Sequence, residues 1–286
     1  MSPKDKGAIG ILDSGVGGLS VLRHIQSLLP TEDLVYFADQ EHVPYGRRSQ
    51  EEIRRFSLRI TRFLYDEGAR IIVVACNAAS GAALSYLRRD YPAAPIVGME
   101  PAVKPGASLT KSGRIGVLAT AFTFNSKRYA KLMAEYAQGV VTFQDPCNGL
   151  VEQIENGRLE AAETEEILNR SLAPMLAGGV DTLVLGCTHY PFVIPFIRQI
   201  VGPEIQIIDP APAVALQVER VMVAEGSLTH KRKSGQLRAF TSGDPQQLVT
   251  VGSDLLGHTL PVTPVRWQDD GSLAYFDINT SPRLIN

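Results

Sequence analysis

Short apolar runs alternate with segments of helical spacing along most of this chain. Eight of the runs predict strands: Ala8–Leu12, Leu34–Phe37, Ile71–Ala75, Ile96–Gly98, Ile115–Leu118, Val140–Phe143, Leu183–Gly186 and Ile205–Ile208. Strands that alternate with helices are typical of βαβ units, which assemble into parallel sheets. The pattern therefore predicts the α/β class, with mostly parallel sheets flanked by helices.

One helix between the second and third runs can be delimited residue by residue. Ser49 and Glu52 have the spacing of a capping box, in which each side chain binds the backbone N–H of the other. The apolar positions that follow at helical spacing are Ile53, Phe56, Ile60 and Phe63. Gly68 closes the pattern, so we expect an amphipathic helix that covers one face of a sheet.

The two halves of the chain resemble each other in sequence. Three correspondences occur in the same order: Ile9–Ser14 with Ile115–Thr120, the strand before Cys76 with the strand before Cys187, and Pro95–Val103 with Gln206–Val214. We therefore predict two pseudo-symmetric α/β domains with the active site in the cleft between them. Residues 1–98 plus 209–286 would form the first domain, which carries Cys76, and residues 99–208 the second, which carries Cys187.

Cys76 and Cys187 each end an apolar run and precede a predicted helix start. Open α/β sheets place their chemistry at such strand ends, and a helix start can stabilise a thiolate. A single buried cysteine is usually a small apolar core residue. Two at equivalent positions of a repeat indicate a matched pair of catalytic groups, whereas Cys147 has no counterpart and is predicted to be structural.

Charge and cysteine count narrow the class of protein. With 28 basic and 30 acidic side chains the net charge is −2, which favours neither a nucleic-acid nor a membrane partner. No apolar stretch approaches the roughly 20 residues of a membrane span, and Met1–Lys6 is too short and polar for a signal peptide. Three cysteines without Cys-x-x-Cys spacing fit a reducing compartment, so we expect a cytoplasmic protein.

A glycine-rich segment, Asp13–Gly18, follows the first predicted strand. Its backbone N–H groups are suited to an anion at a helix start, and the spacing nearly matches a dinucleotide-binding loop. Ser20 occupies the place of the third glycine, although Asp39 lies where a ribose-binding acid would be. A nucleotide site would leave both cysteine motifs unexplained, and a plain tight turn is the simpler alternative.

His189 follows Cys187 by two residues and is a candidate proton-transfer partner for it. A Cys/His pair is also the arrangement of a hydrolase nucleophile and its base, but that interpretation makes Cys76 redundant. Cys187 and His189 supply at most two ligands, so no metal site is predicted.

Taken together, these motifs resemble the glutamate racemases of the aspartate/glutamate racemase superfamily. The matching segments span most of the chain in the family's order: Asp13–Val21, Pro44–Gly46, Ala75–Asn77, Leu150–Glu152 and Gly186–Pro191. One departure is Ala78, where the family usually has a threonine whose hydroxyl binds a substrate carboxylate. That change affects the expected affinity and, to a lesser degree, the choice of substrate.

The resemblance implies a cofactor-independent racemase that inverts the α-carbon of glutamate and supplies D-glutamate for peptidoglycan. Cys76 and Cys187 would be the two acid/bases, with Asp13 assisting the first, and His189 and Glu152 the second. The positions implied for substrate binding are Asp13, Ser14, Tyr45, Gly46, Asn77, Ala78, Thr120, Thr123, Thr188 and His189. The family also implies a small-molecule substrate, no metal and a homodimer.

Two other functions stay open at this point. One is sibling chemistry on the same fold, either aspartate racemisation or decarboxylation of a malonate-type acid, which needs only one cysteine. The other is a binding protein that kept the fold, for instance one acting on DNA gyrase. No sequence feature supports the second, and the near-neutral charge argues against direct DNA contact.

Overall fold

Two separate sheets form from the alternating runs in the computed structural model, which describes residues 7–229 and 233–276. The strands are β1 Ala8–Asp13, β2 Leu34–Ala38, β3 Ala69–Val74, β4 Ile96–Gly98, β5 Arg114–Leu118, β6 Val141–Asp145, β7 Thr182–Leu185, β8 Gln206–Ile208, β9 Leu237–Thr241, β10 Val262–Trp267 and β11 Leu273–Tyr275. All eight predicted strands are present within one or two residues of their expected bounds. Met1–Lys6, which the sequence analysis judged too short and polar for a signal peptide, and residues 230–232 lie outside the described residues.

Helices separate the strands. They are α1 Leu19–Leu28, α2 Gln50–Asp66, α3 Asn77–Asp90, α4 Val103–Leu109, α5 Ala121–Phe124, α6 Lys127–Tyr136, α7 Leu150–Glu155, α8 Ala162–Ala177, α9 Ile194–Val201, α10 Ala211–Ala224 and α11 Pro245–Leu256. Short 3₁₀ turns occupy Tyr45–Arg47 and Tyr190–Val193. Within residues 7–229 and 233–276, no helix combines the length and apolar character needed to cross a bilayer.

The two sheets have the same internal strand order. The first is ordered β11-β10-β9-β2-β1-β3-β4 and the second β6-β5-β7-β8. In the first sheet β1 lies between β2 and β3, and in the second sheet β5 lies between β6 and β7. Because β3 leads to Cys76 and β7 leads to Cys187, strands β1 to β4 correspond to β5 to β8. Of the strand pairings within the described residues, only β10–β11 is antiparallel. The predicted α/β class with two similar, mostly parallel sheets is confirmed.

The last part of the chain extends the first sheet. Strand β9 pairs with β2 and continues to β10 and β11, so this sheet combines residues 8–98 with residues 237–275. All strands of the second sheet lie within residues 114–208. The precise domain boundaries at residues 99 and 209 stay a prediction.

The capping box at the start of α2 forms as expected. Glu52 N–H donates to Ser49 Oγ at 3.2 Å, and Ser49 N–H donates to Glu52 Oε2 at 2.9 Å. The four apolar positions of the helical stripe are buried. The helix therefore covers the first sheet, and Gly68 follows it with a φ of +88°, a value that favours glycine.

Candidate active site

Cys76 and Cys187 line the same cavity, which has a volume of about 300 Å³ and lies at the carboxyl ends of both sheets. Parallel strands bring such ends to one edge, and the two edges face each other here. The other lining residues are Ser14, Pro44, Tyr45, Gly46, Asn77, Ala78, Thr120, Thr123, Val151, Gly186, Thr188 and His189. The structure thus brings every predicted site residue to this cavity except two. Asp13 is fully buried and does not line the cavity, and Glu152 does not line it either.

Cys76 follows β3 and is the N-cap residue of α3. Its Sγ accepts the Ala79 N–H at 3.5 Å, and the thiol is buried. Burial raises the pKa of Cys76 well above its usual value, and the neighbouring Asp13 carboxylate raises it further. The surroundings of Cys76 therefore favour the thiol over the thiolate.

Asp13 ends β1 and is completely buried. Its Oδ2 accepts the N–H groups of Gly15 at 3.1 Å and Gly18 at 3.0 Å. Burial raises the pKa of Asp13, and the opposing effects of His189 and these two backbone hydrogen bonds leave the net direction upward. The carboxyl group therefore holds a proton more readily than a solvent-exposed aspartate does.

Cys187 follows β7 and faces a protonatable pair. Its Sγ lies 3.6 Å from His189 Nδ1, and His189 Nε2 lies 2.6 Å from Glu155 Oε1. Burial alone lowers the pKa of His189, but the hydrogen bonds to Cys187 and Glu155 outweigh it and raise the pKa well above its usual value. His189 therefore favours its protonated form and places a positive charge beside the Cys187 sulfur.

Glu155 is a candidate site residue that the sequence reasoning missed. Both Glu152 and Glu155 lie on α7, but the Glu152 carboxylate is one third exposed and forms an ion pair with Arg47. Glu155 is buried and binds His189. The only sequence signal was the presence of a second acidic residue three positions along the same short helix, which puts both on adjoining faces.

The glycine-rich loop after β1 binds a carboxylate of the protein itself, that of Glu155. The Val16 N–H donates to Glu155 Oε1 at 2.7 Å. A Cβ atom at Gly15 would lie 1.8 Å from this same oxygen, and one at Gly17 would lie 2.4 Å from His189 Nδ1. The close approach of Glu155 and His189 therefore explains Gly15 and Gly17, and the Glu155 carboxylate occupies the place that a nucleotide phosphate would need in the loop.

The helix starts around the cavity present unpaired polar groups. Both Asn77 side-chain atoms, Oδ1 and Nδ2, are buried, and neither has a hydrogen-bond partner among the described residues. Asn77 and Ala78 begin α3, where backbone N–H groups have no intrahelical acceptor. Across the cavity, the hydroxyls of Thr120 and Thr123 lie 3.2 Å apart. These groups suit a ligand with charged oxygen and nitrogen atoms.

Tyr45 lines the cavity, but its hydroxyl already has a hydrogen-bond partner within the protein. The Tyr45 O–H donates to Asp39 Oδ2 at 2.6 Å, so it is already committed. The buried Asp39 carboxylate also binds three groups from elsewhere in the first domain: His42 Nδ1, Ser242 Oγ and Trp267 Nε1. Asp39, considered above as a ribose ligand, instead fixes the loop that carries Tyr45 and Gly46.

Cys147 lies beside the site. It is buried, lines an adjoining cavity and has a φ of +45°. Burial raises the pKa of the Cys147 thiol, and the residue does not line the cavity that holds the other two cysteines. Among residues 7–229 and 233–276, no cluster of three or more His, Cys, Asp or Glu side chains has a geometry that could hold a metal ion.

Comparison with known proteins places the chain among the racemases. The model of the Asp/Glu/Hydantoin racemase family matches residues 9–218, which include both cysteine strands. The chain belongs to this family. Its curated relatives include the glutamate racemase of Pseudomonas aeruginosa, which is 50% identical over 85% of this chain and 92% of that protein. The resemblance drawn from the motifs is confirmed, and the chain is an isomerase of the racemase class.

Solved racemase structures share the whole fold. The glutamate racemase of Francisella tularensis, in complex with D-glutamate, superposes with a TM-score of 0.80 at 28% identity over 91% of this chain and 98% of that one. The Escherichia coli glutamate racemase, in complex with L-glutamate and the activator UDP-MurNAc-ala, gives 0.80 at 28% identity over 95% and 100%. The two-domain architecture is therefore that of glutamate racemases.

Proposed function

We propose that this racemase interconverts L-glutamate and D-glutamate without a cofactor, by proton transfer at the α-carbon between Cys76 and Cys187. The observation that carries the proposal is that two thiols from equivalent strand ends of two similar domains line one cavity. Inversion of a stereocentre by proton exchange requires a base on one face and an acid on the other, and a pair of domains facing a cleft supplies both.

The protonation states of the site fit the start of this reaction. Cys76 is held as a thiol by burial and by Asp13, while His189 is held protonated beside Cys187. We propose that Cys76 starts as the acid and that Cys187, which lies beside the positive charge of His189, starts as the base. For one enantiomer, Cys187 removes the α-proton and Cys76 donates a proton to the opposite face of the α-carbon. For the other enantiomer, Cys76 removes the proton and Cys187 donates one.

Substrate binding follows from the polar groups that lack partners. We infer that Asn77, the N-terminal N–H groups of α3 and the threonines of the opposite wall bind the carboxylates and the amine. None of the cavity-lining residues in the described part of the chain is Lys or Arg, so helix starts and side-chain dipoles replace a cationic clamp. The same fixed dipoles stabilise the carbanion, because they need not reorganise as charge develops.

Glutamate is the favoured substrate because the relatives with high identity are glutamate racemases, and because the two superposed structures hold its two enantiomers. By the same relationship, we propose that D-glutamate for peptidoglycan is the product used in the cell and that the enzyme is cytoplasmic. The homodimer expected from the family stays a prediction, which the mass of the native protein in solution will test.

Incubation of the protein with L-glutamate in deuterated water tests the reaction. D-glutamate carrying deuterium at the α-carbon is expected without added cofactor, together with the mirror-image result from D-glutamate. Parallel incubations with both enantiomers of aspartate test the choice of substrate. Folded protein that inverts neither amino acid would refute the proposal.

Single serine variants test the two-base mechanism. Cys76→Ser and Cys187→Ser should each lose steady racemisation, because a serine hydroxyl is too weak an acid to replace a thiol. Cys147→Ser is the matched control, since it makes the same change at a buried cysteine outside the cavity, and it should retain activity. Full turnover in either of the first two variants would show that one base is sufficient.

A further inference from the structure

Gln40 lies two residues beyond the end of β2, in the first domain, and its amide reaches the carboxylate of the second domain that supports His189. Gln40 Nε2 donates to Glu155 Oε2 at 3.1 Å. Gln40 Oε1 accepts the hydroxyl of Thr241, at the end of β9, at 2.9 Å. The Gln40 side chain thus spans the distance between a first-domain strand end and Glu155.

The direction of this amide is fixed. The Gly243 N–H donates to Thr241 Oγ1 at 3.0 Å, so this hydroxyl oxygen is used as an acceptor and its hydrogen is free to point at Gln40. A hydroxyl that donates to Gln40 requires the amide oxygen on that side. The amide NH₂ group must then face Glu155.

This contact fixes the orientation of the Glu155 carboxylate plane beside the histidine. Glu155 Oε1 accepts the Val16 N–H and pairs with His189 Nε2, while Gln40 is the side-chain donor on Oε2 among the described residues. A carboxylate held by donors on both oxygens cannot rotate without losing one of them. Asp13, the acid beside Cys76, accepts hydrogen bonds from Gly15 N–H, Gly18 N–H and the Thr188 hydroxyl, and none from Gln40 among the described residues.

We infer that Gln40 is a positioning residue for the Cys187 half of the site: it orients Glu155, which orients His189 against Cys187. The inference rests on the proposed two-base function and deepens it. Its consequence is an asymmetric effect, because loss of the Gln40 amide should impair proton transfer at Cys187 and leave proton transfer at Cys76 intact.

A reaction that needs only one base allows proton removal by Cys187 and by Cys76 to be measured separately. With 3-chloroglutamate, a thiolate removes the α-proton while chloride leaves with its bonding electrons, and water then hydrolyses the resulting enamine to 2-oxoglutarate and ammonium. Each α-carbon configuration presents its proton to one cysteine only. The isomer whose chloride release is lost in Cys187→Ser defines the Cys187 reaction, and the isomer lost in Cys76→Ser defines the Cys76 reaction.

The decisive variant is Gln40→Met, which keeps the length of the side chain and removes both polar atoms. Chloride release in the Cys187 reaction should fall about ten-fold, the effect expected for one hydrogen bond to a charged group. The Cys76 reaction in the same sample should change by less than about two-fold, and it also reports the folded fraction. Thr241→Val, which leaves Gln40 in place without its orienting hydroxyl, should show the same selectivity with a smaller loss.

Gln247→Met is the matched control. Gln247 Nε2 donates to Glu155 at 3.0 Å, but to the backbone oxygen of Glu155 and not to its carboxylate. It should slow neither reaction. Equal slowing of both reactions in Gln40→Met and Thr241→Val, an equal effect of Gln247→Met, or no selective loss would overturn the role of Gln40. Loss of both isomers in each single serine variant would refute the independent two-base scheme itself, and with it the inference.

Discussion

Replacement of Glu155 by glutamine tests the support of the Cys187 half directly. The carboxylate accepts N–H groups from Val16 at 2.7 Å and Gln40 at 3.1 Å, and it pairs with His189 at 2.6 Å. A glutamine has one acceptor oxygen, so its NH₂ group would face either the Gln40 amide or the Val16 N–H, donor against donor. It also removes the negative charge that keeps His189 protonated.

The size of the effect follows from these two losses. Exchanging a charged for a neutral hydrogen bond to His189 and leaving one buried donor unpaired should together cost roughly 2 to 3 kcal/mol, or about a 30- to 160-fold fall in kcat/KM. Both directions should fall together, because the equilibrium constant between enantiomers is fixed. Circular dichroism of the glutamate solution follows the rate in each direction.

Glu152→Gln is the matched control, with the same chemical change three residues earlier on the same helix. The Glu152 ion pair with Arg47 is partly exposed, and such pairs contribute less than about 1 kcal/mol, which is less than about a five-fold change in rate. A loss in Glu152→Gln that equals or exceeds the loss in Glu155→Gln would refute our assignment and support the residue indicated by the sequence motif.

Three further predictions concern affinity, stability and pH. Ala78→Thr should lower KM for glutamate by up to about ten-fold with little change in kcat, because it adds a hydroxyl beside the cavity; initial rates at several substrate concentrations test this, and an unchanged KM would contradict it. Trp267→Phe should lower the free energy of unfolding in urea by about 1 to 3 kcal/mol, since it removes a donor to buried Asp39; wild-type stability would refute this estimate. His189 has a raised pKa in the fold, so its protonated form stabilises the protein fully below about pH 6.5 and that stabilisation is lost as the pH rises through the raised value. The free energy of unfolding should therefore fall with rising pH in this window, and more weakly in Glu155→Gln; equal slopes would show that His189 does not gain its stabilisation from that carboxylate.

Local patterns predicted the elements of this fold well. Strands, the capping box at Ser49 and the amphipathic face of α2 depend on residues close together in sequence, so spacing and burial preference identify them. The two sheets could be expected because the same strand-end motifs occur twice. The cysteines were prominent for the same reason.

Hydrogen-bond partners that lie far apart in the sequence could not be predicted from local patterns. Gln40 and Thr241 are 201 residues apart, and Gln40 and Glu155 are 115 apart, so no local pattern links them. The choice between Glu152 and Glu155 depends on how α7 is rotated against the glycine loop, which is set by packing between domains. Strands β9 and β10, which had no catalytic signal in sequence, carry Thr241 and Trp267 to their polar partners.

The support of Glu155 by both domains has a consequence for the order of events in turnover. Val16 and Gln40 belong to the first domain, whereas Glu155, His189 and Cys187 belong to the second. Any separation of the domains wide enough to admit or release an amino acid removes the donors that align this carboxylate. Exchange of ligand and transfer of the proton must then alternate in time, because His189 is aligned against Cys187 only while the two domains are together.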